Sequence, residues 1–257
     1  MRLALLAASS LSPFNLAVLE DLRARPGLDI VCAALDVRPA VPLGVRLRRH
    51  FRKGRGLYLG VMVFAQLGTP PGTDARGYFA DRDVPTLPFS GYGDPGFLAA
   101  LAAYAPDVLV LLGGYGIVKK ELLDFAPHGV LSYHHGDMRR YRGQPPAFWE
   151  VARREAAMGV TVQRLCERLD AGTPVAELTV PIAATDYPGQ VSRRAYAASV
   201  PLMGQALERL AAQDAPQPLD RLGQVYTLPN FRQWLACHAR VALARARARL
   251  GAAGTGR

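Results

Sequence analysis

Two side chains in this sequence have types and settings suited to holding an oxyanion and moving a proton. His134 closes a predicted strand, Val130–His134, and Asp170 sits in a turn-rich stretch between two further predicted strands. An imidazole at a strand end can donate to a developing oxyanion, while a neighbouring carboxylate favours the protonated ring and relays a proton through water. Ser132 and His135 flank the first of these groups, and each could supply another hydrogen-bond donor. The histidine and the aspartate are far apart along the chain, so only the fold can bring them together. Taken singly, each has an ordinary reading as a satisfied histidine or a turn aspartate.

The surroundings of these residues carry more than the residues alone. They read Leu131-Ser-Tyr-His-His-Gly-Asp-Met-Arg-Arg-Tyr-Arg-Gly143, then Gly159-Val-Thr161, then Leu169-Asp-Ala-Gly172. In these stretches the chain resembles the formyltransferase family that uses 10-formyltetrahydrofolate, whose signature runs Asn-x-His-Pro-Ser-Leu-Leu-Pro-x-Tyr-x-Gly, then Gly-Val-Thr and Leu-Asp-x-Gly. His134 takes the histidine position and Asp170 the aspartate. Ser132 stands where the family has asparagine, and His135-Gly136 where it has Pro-Ser.

The resemblance implies that His134 polarises a formyl oxygen and that Asp170 orients it and assists proton transfer. It also implies that Gly114, Tyr115, Gly116, Ile117 and Val118, with Arg168 and Leu169, hold the pterin ring of the formyl donor. Three readings of Ser132 stay open: it acts through a closer substrate or a bridging water, His135 replaces the missing donor, or the chain has left formyl transfer while keeping the fold. The turn Ala8–Asn15 lacks the glycines of a glycinamide-ribonucleotide phosphate cradle, and an N-cap role for Ser12 explains its serines. The last part of the chain is not strand-rich enough for the β-barrel of methionyl-tRNA formyltransferases. The expected acceptor is therefore a primary amine on another small molecule, with a nucleotide-linked amino sugar as the specific expectation. Hydrolysis of the formyl donor and a non-catalytic binding protein that retains the fold are the alternatives.

The elements that must position these groups alternate between strand and helix. Arg2–Ala8, Leu28–Leu35, Val84–Phe89, Asp107–Leu112 and Val130–His134 read as buried strands, and Pro13–Arg25, Pro95–Tyr104 and Val118–Phe125 as helices between them. That pattern predicts an α/β fold with a Rossmann-like, mostly parallel sheet and helices on both faces. His134 then lies at the carboxyl end of its strand, where open α/β sheets bind ligands. Val160–Cys166 and Val175–Pro181 predict a hairpin around Asp170, and Pro188–Ala212 a long helix. The chain divides into a catalytic domain over 1–212, with a basic insertion at about 37–83, and a linker with a basic amphipathic helix over 213–257.

The net charge of +10 is local. Arg46–Arg55 and Arg232–Arg257 hold twelve of the thirty-one basic residues and no acid, which leaves nineteen basic against twenty-one acidic residues elsewhere. A nucleic-acid partner is therefore not favoured, although the tail is open to one. Three widely spaced cysteines fit neither a disulfide framework nor a zinc site, and a cytoplasmic location is expected. The apolar opening reads as the first strand rather than a signal peptide, and no stretch is long enough to span a membrane. The sequence leaves the oligomeric state open.

Overall fold

A computed structural model of the chain describes residues 1–39, 42–52, 60, 71–92, 94–113, 115–214 and 216–254. Its centre is a seven-stranded sheet. Strand β1 (Arg2–Ala8) is followed by the two-residue β2 (Ser10–Leu11), helix α1 (Pro13–Ala24) and β3 (Asp29–Asp36). After α2 (Leu43–Arg52), β4 (Thr73–Asp74) and α3 (Ala75–Ala80) come β5 (Thr86–Phe89), α4 (Pro95–Ala102), β6 (Val108–Leu111), α5 (Lys120–Leu123) and β7 (Val130–His134). The remainder is β8 (Tyr141–Gly143), α6 (Phe148–Ala152), β9 (Ala157–Arg164), β10 (Thr173–Pro181), α7 (Pro188–Ser199), α8 (Leu202–Ala211), β11 (Gln224–Tyr226) and α9 (Phe231–Gly254).

Across the sheet the strands run β10-β9-β7-β6-β1-β3-β5. Strands β5, β3, β1, β6 and β7 are mutually parallel, whereas β9 is antiparallel to both β7 and β10. The order reverses at β1, which has β3 on one side and β6 on the other. The chain's prolines respect this layout: Pro88 lies in edge strand β5, and Pro174 and Pro181 in edge strand β10, where a missing N–H does least harm.

Alternation along the strands separates two cores. Leu3, Leu5 and Ala7 of β1 pack with α1, α7 and α8, while Ala4 and Leu6 pack with α4 and α5. Helices thus cover both faces, as the fully apolar parallel strands require. Ser12 caps α1 by accepting the Asn15 N–H at 3.2 Å, with Pro13 in the first turn. Asn15 in turn donates from Nδ2 to the Leu112 carbonyl at 2.7 Å, tying α1 to the end of β6.

Several expected bounds change. The long helix expected over Pro188–Ala212 is two helices, because Pro201 has no N–H to continue the ladder. The Tyr133 hydroxyl repairs that break, donating to the Ser199 carbonyl at 2.9 Å and accepting the Met203 N–H at 3.1 Å. The helix expected over Val118–Phe125 forms only at α5, and the strand expected from Val160 begins at Ala157 and ends at Arg164. In the insertion, α3 buries Tyr78 and Phe79 beside the sheet. Residues 53–59 and 61–70 of the expected insertion fall outside the described residues.

The helix expected in the C-terminal segment is present as α9. Strand β11 pairs in parallel with β8, and Cys237 and Val241 of α9 join the larger core. Among the described residues no helix is long and apolar enough to cross a membrane.

Candidate active site

His134 ends β7 with its side chain buried, 6 % exposed, opposite Thr161 of β9. Its Nε2 lies 2.8 Å from the Tyr141 carbonyl oxygen, which can only accept, so Nε2 carries a hydrogen. Its Nδ1 lies 3.4 Å from Oδ1 of Asp170. The β9–β10 hairpin delivers that carboxylate. Asp170 adopts a left-handed backbone, φ 43°, in the turn between the strands, and its Oδ2 accepts the Gly143 N–H at 2.8 Å.

An imidazole between a carbonyl and a carboxylate is in surroundings that favour its charged form. Burial alone pulls the His134 pKa down, but the hydrogen bond and charge of Asp170, together with the Tyr141 carbonyl, outweigh it and leave the value raised. For Asp170, burial pushes the pKa up, and the bonds from His134 and Gly143 with the charge of Arg142 leave it lowered. The surroundings of the pair thus favour imidazolium beside carboxylate. The pair can present a positive N–H to an oxyanion and keep an acceptor beside it for a proton.

Three features of this arrangement were not assigned roles from the sequence. Arg142 clamps the Asp170 turn: its Nε donates to the carbonyls of Asp170 at 2.8 Å and Leu169 at 3.1 Å, and Nη2 also donates to Leu169. Gly143 has φ 88°, and a Cβ there would collide with the Tyr226 carbonyl of β11. The third is Glu150, 3 % exposed in α6, whose carboxyl pKa burial raises to about 7. The motif Tyr141-Arg142-Gly143 marked the first two positions. A lone acid among Phe148, Trp149 and Val151 was the available signal for the third.

The other expected site residues have varied placements. Ser132 is half-buried on β7, two positions before His134 and so on the same side of the strand, with its hydroxyl 3.4 Å from the Tyr133 carbonyl. The His135 side chain lies on the opposite side of β7 from that of His134, beside Tyr133. It contacts the Ser199 hydroxyl at 3.2 Å and lies among the rings of Phe14, Tyr133 and Tyr196, where burial lowers its pKa to about 4. The ring also borders the small void that His134 borders.

Of the expected pterin segment, Gly114 lies outside the described residues. Tyr115 is buried, its hydroxyl donating to the Ala34 carbonyl at 2.8 Å and its ring against Phe89, and Val118 joins the same core. Their side chains serve packing. Gly116 turns at φ 67°, and the Tyr92 hydroxyl fixes the carbonyls of Tyr115 and Ile117 at 2.9 and 3.2 Å. Ile117, 52 % exposed, and Leu169, 45 % exposed, are large apolar side chains presented to solvent on the two segments named for the donor. Arg168 is exposed, and its loop lines a cavity of about 660 Å³ with α5 and Leu219.

The formyl transferase family model matches residues 85–207, which include β5 through most of α8 and every residue of the His134–Asp170 arrangement. Residues 85–207, a little under half of the chain, are thus similar to the formyl transferase family. The chain is 31 % identical over 195 residues to a methionyl-tRNA formyltransferase of Syntrophus aciditrophicus, covering 76 % of this chain and 57 % of that protein. A methionyl-tRNA formyltransferase of Anaeromyxobacter dehalogenans is 33 % identical over 171 residues, 61 % of this chain and 55 % of its own length. The chain thus spans little more than half the length of these curated relatives. Among solved structures, glycinamide ribonucleotide transformylase 1 from Symbiobacterium toebii superposes with a TM-score of 0.58 at 20 % identity, over 88 % of this chain and 94 % of its own. A formyltetrahydrofolate deformylase from Pseudomonas syringae pv. tomato gives 0.57 at 19 % identity, over 87 % and 66 %. At these identities the structural matches establish the shared fold.

Proposed function

We propose that the chain is an enzyme that transfers a formyl group from 10-formyltetrahydrofolate to a primary amine of a small molecule. The approach of Asp170 to His134 at 3.4 Å, at the carboxyl end of a central parallel strand, carries this reading. The formyl oxygen lies against the charged imidazole, which holds the negative charge that grows as the amine attacks the formyl carbon. Asp170 keeps the ring charged and takes part in moving the proton from the incoming amine to the departing N10. The pteridine of the donor lies between the 115–118 turn and the 167–170 turn, with exposed Ile117 and Leu169 as its apolar contacts.

A nucleotide-linked amino sugar is the acceptor we favour. Its phosphates suit a basic surface, and Arg48 and Arg52 are exposed on α2 within the insertion. A cytoplasmic site of action fits a folate donor. Incubation with 10-formyltetrahydrofolate and a panel of amines, nucleotide-linked amino sugars included, tests the reaction. Formamide that disappears in His134→Ala is expected; formate released without formamide would instead identify a hydrolase of the donor. Neither product from the unsubstituted protein would overturn the enzymatic reading and leave a binding protein in which Ser132 marks lost chemistry.

A further inference from the structure

The buried acid of α6 is the feature of this site that the His134–Asp170 pair leaves unexplained. Glu150 is 3 % exposed, yet among the described residues no other side chain donates a hydrogen bond or forms an ion pair with it. Its own backbone N–H is the hydrogen-bond partner of the carboxyl, and a buried acid so sparsely partnered is costly, so its retention in a helix of otherwise apolar residues calls for a use. Its position suggests one. Glu150 borders a void of about 10 Å³ that His134 also borders, the size that admits one water molecule. It also borders a cavity of about 440 Å³, partly open to solvent, whose lining includes Arg139 and Thr179.

We propose that Glu150 is a positioning residue for His134: it loads the imidazole with its proton across the water-sized void and is itself recharged from the solvent-connected cavity. The step is a plain proton exchange. The O–H bond of the Glu150 carboxyl breaks, its electron pair stays on oxygen, and an N–H bond forms on the His134 ring, leaving carboxylate beside imidazolium. Water in the larger cavity then returns a proton to the carboxylate. No other reactant is required. The inference rests on the proposed reaction only in its consequence for rate, because there His134 must be charged before each attack.

The groups around Glu150 are arranged for this exchange. His134 is the cation that favours its carboxylate, and Asp137 and Glu155 are the acids that oppose it. Asp137 is held by Arg139, which also takes Glu177 at 2.6 Å, while Glu155 is held by Arg140 at 2.6 Å and by the Tyr141 hydroxyl at 2.6 Å. The neighbouring acids are thus tied to partners of their own, and Glu150 is left to titrate against His134. Burial that raises its pKa to about 7 places the exchange near neutrality.

The test follows the His134 ring by NMR through a pH titration of the full chain, without ligand, in the unsubstituted protein and in Glu150→Gln. Removing the acid should lower the His134 midpoint and turn a two-step curve into a single step. With donor and an accepted amine, Glu150→Gln should lower kcat at neutral pH by about 10-fold to 100-fold. KM for the donor should stay within about twofold of the unsubstituted value, since Glu150 is placed away from the donor surface. Glu150→Asp should recover part of the loss. An unchanged His134 titration, or a kcat within about twofold of the unsubstituted protein, would overturn the proposal. Should no amine be formylated by the unsubstituted chain, the proposed reaction fails, and the titration alone still decides whether Glu150 and His134 exchange a proton.

Discussion

Asp170 accepts the Gly143 N–H at 2.8 Å with one carboxylate oxygen, which leaves the other 3.4 Å from His134. The bond to Gly143 therefore aims the bond to the histidine. Gly143 belongs to β8, which pairs with β11 late in the chain, so the aim of the Asp170 carboxylate depends on a segment remote from both motifs.

The charges of this pair give stability a definite pH range. Asp170 has a folded pKa below its ordinary value, so its contribution is present above that value and lost as pH falls through the folded one. His134 has a folded pKa above its ordinary 6.5, so its contribution is full below 6.5 and lost as pH rises through the folded value. Asp170→Asn should therefore cost most stability between these limits and progressively less outside them. Denaturant midpoints for the variant and the unsubstituted protein across pH 3 to 9 test this, about the span of the two ordinary values and their shifts. A difference constant across the range would show that the two side chains are not electrostatically linked.

Donor binding makes a separate prediction. Ile117 and Leu169 are exposed, so replacing either with aspartate removes little packing and should change stability by less than about 0.5 kcal/mol. Each should raise KM for 10-formyltetrahydrofolate by about tenfold or more, because burying such a side chain against a flat ring gives roughly 1.5–3 kcal/mol. Equal KM values in the variants and the unsubstituted protein would place the pteridine elsewhere.

What the sequence made legible was mostly local. The apolar runs of β1, β6 and β7 announce central parallel strands because both of their faces are buried, and the His134 and Asp170 motifs sit where those strands end. The pairing of β8 with β11 was not legible: each is three residues long, and nothing in Gln224–Tyr226 distinguishes it from a loop. The setting of His135 was illegible for a related reason. Its neighbours Phe14, Tyr133 and Tyr196 come from a helix, a strand and a second helix, and only the assembled fold brings them around the ring. The functions of Arg142 and Glu150 likewise depend on backbone carbonyls and cavities, which have no sequence pattern of their own.

Ser132 offers a prediction about the departure from the family signature. The serine hydroxyl is half-buried on the side of β7 that carries His134 and makes only a 3.4 Å contact with the Tyr133 carbonyl, so it is not committed elsewhere. Losing one oxyanion donor costs on the order of 100-fold in rate. If serine weakens the oxyanion site, Ser132→Asn should raise kcat by at least about tenfold, measured as formamide formed under saturating donor. A variant slower than the unsubstituted chain would mean that the site is fitted to serine and to a differently seated acceptor.

The final helix should matter to catalysis although it lies outside the region matched by the family. Arg240 of α9 donates to the carbonyls of Val151 at 2.8 Å and Ala152 at 3.0 Å, at the carboxyl end of α6, where the Val151 carbonyl also accepts the Arg154 N–H at 3.1 Å. Helix α6 is only five residues long and starts from a left-handed Ala147, so it has little intrinsic stability and depends on such outside bonds. It carries Glu150 and also Trp149, whose indole N–H donates to the Thr227 carbonyl at 3.0 Å. Arg240→Ala should cost about 1.5–3 kcal/mol of stability, the range for hydrogen bonds from a charged donor. It should also lower kcat at temperatures where the variant is still fully folded, because the acid beside His134 loses its support. Arg240→Lys keeps the charge but can replace only part of the two-carbonyl grip, so it should fall between the two in both measurements. A variant that loses stability yet keeps full kcat would separate the last helix from the chemistry and leave it a purely structural brace.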